Sequence, residues 1–193
     1  MAYQPFDLTG KVLLVTGGNG GIGLGMADAA AQAGADVCIW GTNADKNAAA
    51  VESLKAHGTK IDAMICDVAN EASVDEAFAK TLDSLGRVDM CVANAGVTGR
   101  SKSFLDISAD EWKRVLSVNL DGVFYTLKAA AAHMSARAKN GDPGGRLVAT
   151  ASLAAISGAA RNEHYAATKG GVISMIKALA VEFARDGVTA NAV

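Results

Sequence analysis

Short apolar runs alternate with longer stretches of helical spacing along this chain. The runs are Val12–Val15, Asp36–Trp40, Ile61–Ile65, Val88–Ala93, Arg146–Ala151 and Val188–Val193. Between them, apolar residues recur at helical intervals over Ile22–Ala33, Asp45–His57, Ser73–Leu85, Ser108 to about Lys139, and Glu163–Arg185. Gly34, Gly58, Gly86 and Gly187 follow four of these stretches, where a left-handed residue ends a helix. Ser108 with Glu111 predicts a capping box at the head of the long fourth helix, and the run from Asn140 to Gly145 breaks that helix. The short runs are apolar throughout rather than alternating, as expected of strands buried on both faces. Strand and helix in strict alternation predict a three-layer α/β fold, a parallel sheet with helices on both sides. No repeat or shift in composition divides the 193 residues, so a single domain is expected.

Composition narrows the classes of function. Half the residues are hydrophobic and a fifth charged, with a net charge of −2, which suits an ordered core. Lys11, Arg87, Arg100 and Arg146 lie scattered at the edges of elements and form no basic stripe, so no nucleic-acid partner is expected. No apolar run is long enough to span a membrane, and the first ten residues lack the pattern of a secretory signal. The expectation is a cytoplasmic protein. Cys38, Cys66 and Cys91 agree with this, each within an apolar run and without C-x-x-C spacing. His57, His133 and His164 have no metal-ligand spacing, and no metal is expected.

One turn carries far more backbone freedom than folding requires. Thr16-Gly-Gly-Asn-Gly-Gly-Ile-Gly23 holds five glycines in eight residues, between the first strand and the first helix. In α/β folds this turn and the helix N-terminus after it hold a dinucleotide pyrophosphate. Gly18, Gly20 and Gly23 satisfy G-x-G-x-x-G; Thr16, Gly17, Gly21 and Gly23 satisfy the rarer T-G-x-x-x-G-x-G. Asn19 and Ile22 complete the candidate turn. The alternative is a glycine-rich turn that only packs helix on strand. At the end of the second strand Gly41, Thr42 and Asn43 stand where the adenine ribose needs a partner. That stretch offers neither an acid for a ribose hydroxyl nor an arginine for a 2′-phosphate, with Lys46 nearby, so NAD and NADP both stay open. Asp67 with Val68, and Asn94-Ala95-Gly96, follow the third and fourth strands, at the ends where an open sheet binds ligands. Asp67 is a candidate partner of the adenine amino group.

Tyr165 and Lys169, four apart, share one helix face. A neighbouring ammonium favours the phenolate, which makes a tyrosine usable as a base near neutral pH. Ser152, just past the fifth strand, is placed to orient a substrate oxygen. Taken together, Thr16-Gly17-x-x-x-Gly21-Ile22-Gly23, Asp67, Asn94-Ala95-Gly96, Asn119, Ser152 and Tyr165-x-x-x-Lys169 resemble the short-chain dehydrogenase/reductases from about Leu8 to Val193. The resemblance implies a Rossmann-type, doubly wound fold and an NAD- or NADP-dependent interconversion of a secondary alcohol and a ketone. It implies that Tyr165 is the general acid/base, that Ser152 positions the carbonyl, and that Lys169 binds the nicotinamide ribose and favours the phenolate. Asn119 would hold a water in the proton relay; read without the family, it is a mid-helix Asn bonded to backbone. Homodimers or homotetramers built on the two long Ala-rich helices are implied as well.

The chain departs from the family at Ala93, where a first Asn is usual. Gly41 stands where NAD-preferring members have an acid, and Gly20 where NADP-preferring members often have a base. Beyond Val193 the family usually continues through a substrate lid and a last strand, so residues 1–193 are expected to be a dinucleotide-binding and catalytic domain without them. The rival reading is a catalytically silent dinucleotide-binding or assembly protein. An extended-fold nucleotide-sugar epimerase fits the glycine spacing less well.

Overall fold

The apolar run after Lys11 becomes the central strand β1 (Val12–Thr16), all five of whose residues are buried. The computed structural model describes residues 6–99 and 101–193; the readings made for Arg100 and for the first five residues lie outside them. On one side of β1 lie β2 (Asp36–Gly41) and then β3 (Ile61–Ile65). On the other lie β4 (Met90–Ala93), β5 (Gly145–Ala149) and β6 (Val188–Ala192). All pairings are parallel, in the order β3-β2-β1-β4-β5-β6. The order reverses between β1 and β4, which opens a crevice at the carboxyl ends of those strands.

Alternate residues of β1 feed two cores. Leu13 and Val15 pack with Ala27, Ala30 and Leu54 of α1 (Gly21–Gln32) and α2 (Ala44–Leu54). Leu14 packs on the opposite face with Phe78, Leu127 and Ile176. Those residues come from α3 (Glu71–Leu85), α5 (Gly122–Lys139) and α7 (Glu163–Glu182). Rossmann-type α/β layering with helices on both faces is therefore what the chain adopts.

Several boundaries differ from the reading of the sequence. The long fourth helix is three pieces: α4 (Ala109–Leu116), a π-helical turn over Ser117–Asp121, and α5. Apolar spacing cannot see this, because the π turn inserts one residue without breaking the helix. The insertion carries Asn119 inward to complete burial. Ser108 caps α4 by accepting from Glu111 N at 3.1 Å, but the Glu111 carboxylate pairs with Arg114, so the capping box is only half made. The last turns before Gly58 and Gly187 tighten to 3₁₀ geometry, so α2 and α7 end at Leu54 and Glu182. β4 starts at Met90, and the carboxylate of Asp89 just before it accepts from Val12 N and Arg87. The pattern also missed α6 (Ala154–Ser157), too short for periodicity to register.

Candidate active site

Three strand ends converge on the glycine turn. The Thr16 hydroxyl oxygen accepts from Asn94 N and Ala95 N, each at 3.0 Å, which ties β1 to the end of β4. Gly17 and Gly21 have φ of 63° and 51°, the left-handed region that glycine enters without strain. Gly23 answers a different need: a Cβ there would strike the Gly17 carbonyl oxygen and lie 2.5 Å from Asn94 Nδ2. Gly20 is the N-cap of α1, which has no side-chain cap and no acid in its first turn. Its first backbone N–H groups therefore keep their positive end free for an anion, and the cradle fits a pyrophosphate.

At the end of β2, Gly41 is buried against two amides. A Cβ there would strike Asn19 Nδ2 and lie 2.5 Å from Asn47 Oδ1. Asn19 Nδ2 donates to Asn47 Oδ1 at 2.7 Å, and Asn47 Nδ2 donates to the carbonyls of Gly41 and Met64 at 3.1 Å. Asn47 was not singled out in the sequence; its only signal is a polar residue on the buried face of α2. Thr42 is exposed, while Asn43 spends its side-chain oxygen capping α2 through Lys46 N. Asp67 is exposed and accepts from Ala69 N; Val68 is buried against Gly122. Ile22 is exposed at the head of α1.

A polar chain runs from this turn to the second half of the site. Asn94 Nδ2 donates to the carbonyls of Thr16 and Gly17 at 3.1 and 3.4 Å. Its oxygen accepts from the Thr150 hydroxyl at 3.0 Å, and the Thr150 carbonyl accepts from Lys169 Nζ at 2.6 Å. Lys169 is 3% exposed, and burial pushes its ammonium below the usual lysine range. Its Nζ lies 5.6 Å from the ring centre of Tyr165, which is half-buried. Asn119 exchanges hydrogen bonds with the Val97 backbone, accepting from its N at 2.7 Å and donating to its carbonyl at 2.9 Å. The backbone it serves belongs to the loop after β4, not to its own helix. A Cβ on Gly96 would lie 3.3 Å from Asn119 Oδ1 and 3.8 Å from Lys169 Nζ, so these three residues meet. Ser152 is half-buried and its Oγ accepts from Ala154 N, which anchors the start of α6. It sits on the lip of a cavity of about 580 Å³ lined by Leu153, Ile156, Ile176 and the strand β6.

The short chain dehydrogenase family profile matches residues 11–193. The 3-oxoacyl-[acyl-carrier-protein] reductase FabG of Chlamydia pneumoniae is 37% identical over 184 residues, 95% of this chain and 72% of that protein. A 3beta-hydroxysteroid dehydrogenase of Mediterraneibacter gnavus is 35% identical, covering 95% of this chain and 64% of its own length. Among solved structures, an NAD+-bound xylitol dehydrogenase superposes with a TM-score of 0.91 at 31% identity, covering 96% of this chain and 69% of that one. The chain belongs to the short-chain dehydrogenase family.

As a short-chain dehydrogenase it is an NAD(P)-dependent oxidoreductase acting on a CH–OH or keto group. The silent-binder reading has no support among these relatives, which are named as dehydrogenases and reductases. Among the described residues no helix is long and apolar enough to cross a membrane. No group of His, Cys, Asp and Glu there could hold a metal ion.

Proposed function

We propose that Tyr165 is the general acid/base of a reversible carbonyl reduction. Ser152 hydrogen-bonds the substrate oxygen, Lys169 holds the nicotinamide ribose, and Asn119 keeps a water in the proton relay. One observation carries this reading: the buried Lys169 ammonium, fixed by the Thr150 carbonyl, stands beside the Tyr165 ring. When bound, the nicotinamide supplies or accepts the hydride. Tyr165 gives its hydroxyl proton to the carbonyl oxygen in reduction and takes it back in oxidation. The Lys169 cation stabilises the phenolate left between those events. The N-terminus of α1, with Gly17, Asn19, Gly20, Gly21, Ile22 and Gly23, holds the pyrophosphate. Gly41, Thr42 and Asn43 face the adenine ribose, Asp67 and Val68 the adenine, and Asn94, Ala95 and Gly96 the nicotinamide-side ribose.

With a neutral amide pair in place of an acid at Gly41, the enzyme takes NADH and NADPH with dissociation constants within about a hundredfold, ~2.7 kcal/mol. The substrate class we infer is a 3-oxoacyl thioester or a sugar-type ketone. Two features support it: the relatives include a 3-oxoacyl reductase and a sorbose reductase, and the loop Ile156–His164 mixes small apolar with polar residues. Residues 1–193 act as one dinucleotide-binding and catalytic domain in a homodimer or homotetramer. The contact face is α5 with α7, where Phe124, Met175 and Phe183 line a groove of about 370 Å³. We place the protein in the cytoplasm, with which its three unpaired cysteines agree.

Steady-state oxidation of NADH and NADPH against a panel of 3-oxoacyl thioesters and ketoses tests the reading. Turnover with at least one class, abolished by Tyr165→Phe, is expected. No turnover with any ketone, or turnover indifferent to Tyr165→Phe, contradicts it.

A further inference from the structure

The residue before Tyr165 is a buried imidazole with no hydrogen bond among the described residues. His164 has no exposure, and neither Nδ1 nor Nε2 has a partner among the described residues. An apolar side chain of similar shape would serve the core as well, since a buried polar atom left unpaired costs about 1–3 kcal/mol. His164 Nε2 lies 3.5 Å from Glu111 Oε1, a close polar contact without the geometry of a hydrogen bond. Arg114 bonds both Glu111 oxygens, at 2.7 and 2.8 Å, and holds its carboxyl down to about 2. Arg114 also donates to the Thr98 carbonyl at 3.0 Å. The ring presses on Gly99, where a Cβ would strike His164 Nε2 and lie 2.9 Å from Glu111 Oε1.

These contacts meet where the candidate catalytic helix begins without a side-chain cap. Asn162, the N-cap of α7, makes no side-chain cap bond. The preceding Arg161 sits at φ 66°, left-handed for a residue other than glycine, and is held by Glu163 Oε1 and Ser101. Tyr165 lies in this first turn. Its hydroxyl can be no better placed than the turn itself.

We propose that His164 is a positioning residue for Tyr165: held between Glu111 and Gly99, its ring fixes the uncapped first turn of α7 against α4 and sets where the Tyr165 hydroxyl stands. The inference rests on the reading of Tyr165 as acid/base. Glu111 and Arg114 are the positioning partners in α4, and through Arg114 the same unit holds the loop Val97–Gly99.

Four single variants of the protein carrying this chain, His164→Leu, His164→Gln, Glu111→Gln and Tyr165→Phe, and the double variant of His164→Leu with Glu111→Gln test it. In each, kcat and KM for the carbonyl substrate are measured beside cofactor binding by fluorescence. His164→Leu is expected to lose about tenfold or more in kcat, since small misplacements of reacting groups cost up to ~10²-fold. Its cofactor dissociation constant stays within about twofold, because the pyrophosphate turn is remote. His164→Gln, whose amide nitrogen can take the place of Nε2, recovers most of that loss. Glu111→Gln, at a partly exposed site that does not endanger folding, loses kcat in the same sense, and the double variant with His164→Leu is no slower than His164→Leu alone. A kcat within about twofold of wild type in His164→Leu or in Glu111→Gln overturns the proposal, as does a His164→Gln variant as slow as His164→Leu. If Tyr165→Phe itself turns over normally, the acid/base reading fails and this inference with it. An inactive Tyr165→Phe beside a fully active His164→Leu removes the inference alone.

Discussion

The proposed cofactor side of the crevice and its proposed catalytic side are built on opposite terms. Around the glycine turn, the side chains of Thr16, Asn19, Asn47, Asn94 and Thr150 are all hydrogen-bonded within the protein. The cradle is finished before any ligand arrives, and its shape is enforced by sites that admit no Cβ. Around the head of α7, by contrast, Asn162 Oδ1, Glu163 Oε2 and both nitrogens of His164 are buried and unpaired among the described residues. If the proposed roles hold, the difference teaches that pyrophosphate binding rests on backbone geometry and proton transfer on a few side chains around the head of α7. Damage to the first side should therefore appear in affinity, and damage to the second in rate.

The largest loss of affinity expected on this contrast belongs to Gly23→Val. Its Cβ would meet the Gly17 carbonyl, and overpacking of that kind costs about 1–3 kcal/mol or more. A fluorescence titration with NADH should show affinity weakened by more than about a hundredfold, ~2.7 kcal/mol. Asn94→Ala comes next. It removes three hydrogen bonds that staple the turn to β4 and β5, each worth about 1 kcal/mol net. A lowered melting temperature and cofactor binding weakened about tenfold, ~1.4 kcal/mol, are expected. Gly20→Arg is smaller and gains rather than loses: nothing lies within 4 Å of the new Cβ, so the arginine is free to reach a 2′-phosphate. The ratio of NADPH to NADH affinity should rise about tenfold, ~1.4 kcal/mol, close to the low end of the ~1.5–3 kcal/mol of a charged hydrogen bond. An unchanged ratio would mean that the 2′-phosphate lies elsewhere.

The smallest effect is a pH dependence remote from both sides. His133 accepts a hydrogen bond from Val88 N, and burial, with Arg137 and Arg87, lowers its pKa from the ordinary 6.5. The unfolded chain then binds a proton that the folded chain resists, so stability falls as pH drops below about 6.5. Melting scans of wild type and His133→Gln between pH 8 and about 5.5 should show a shallower acid decline in the variant. Parallel declines would contradict this.

How far the sequence revealed these two sides follows from the same contrast. The strands, helices and glycine turn were legible because their signals are local: apolar runs, helical spacing, and glycines where backbones must approach. The π turn at Ser117–Asp121 was hidden, since one inserted residue leaves the apolar spacing nearly intact. Asn47 was missed as well, and His164 was read only as a histidine without metal-ligand spacing at the end of a loop. Each owes its place to a contact far away in the chain, Asn47 with Asn19 and His164 with Glu111, and no spacing rule reports such a meeting. Tyr165 and Lys169 were found by their separation of four, but the Thr150 carbonyl that holds the lysine was not.

The division between affinity and rate is tested most directly at Tyr165. Tyr165→Phe keeps the ring and removes the only proton that side chain can transfer. With cofactor dissociation constants and single-turnover reduction measured on the same preparation, the rate should fall by about 10²–10⁴-fold, the usual contribution of a positioned acid. NADH affinity should stay within about twofold of wild type, because the variant leaves the glycine cradle untouched. A near-normal rate, or a rate that falls only in step with lost affinity, would contradict the division.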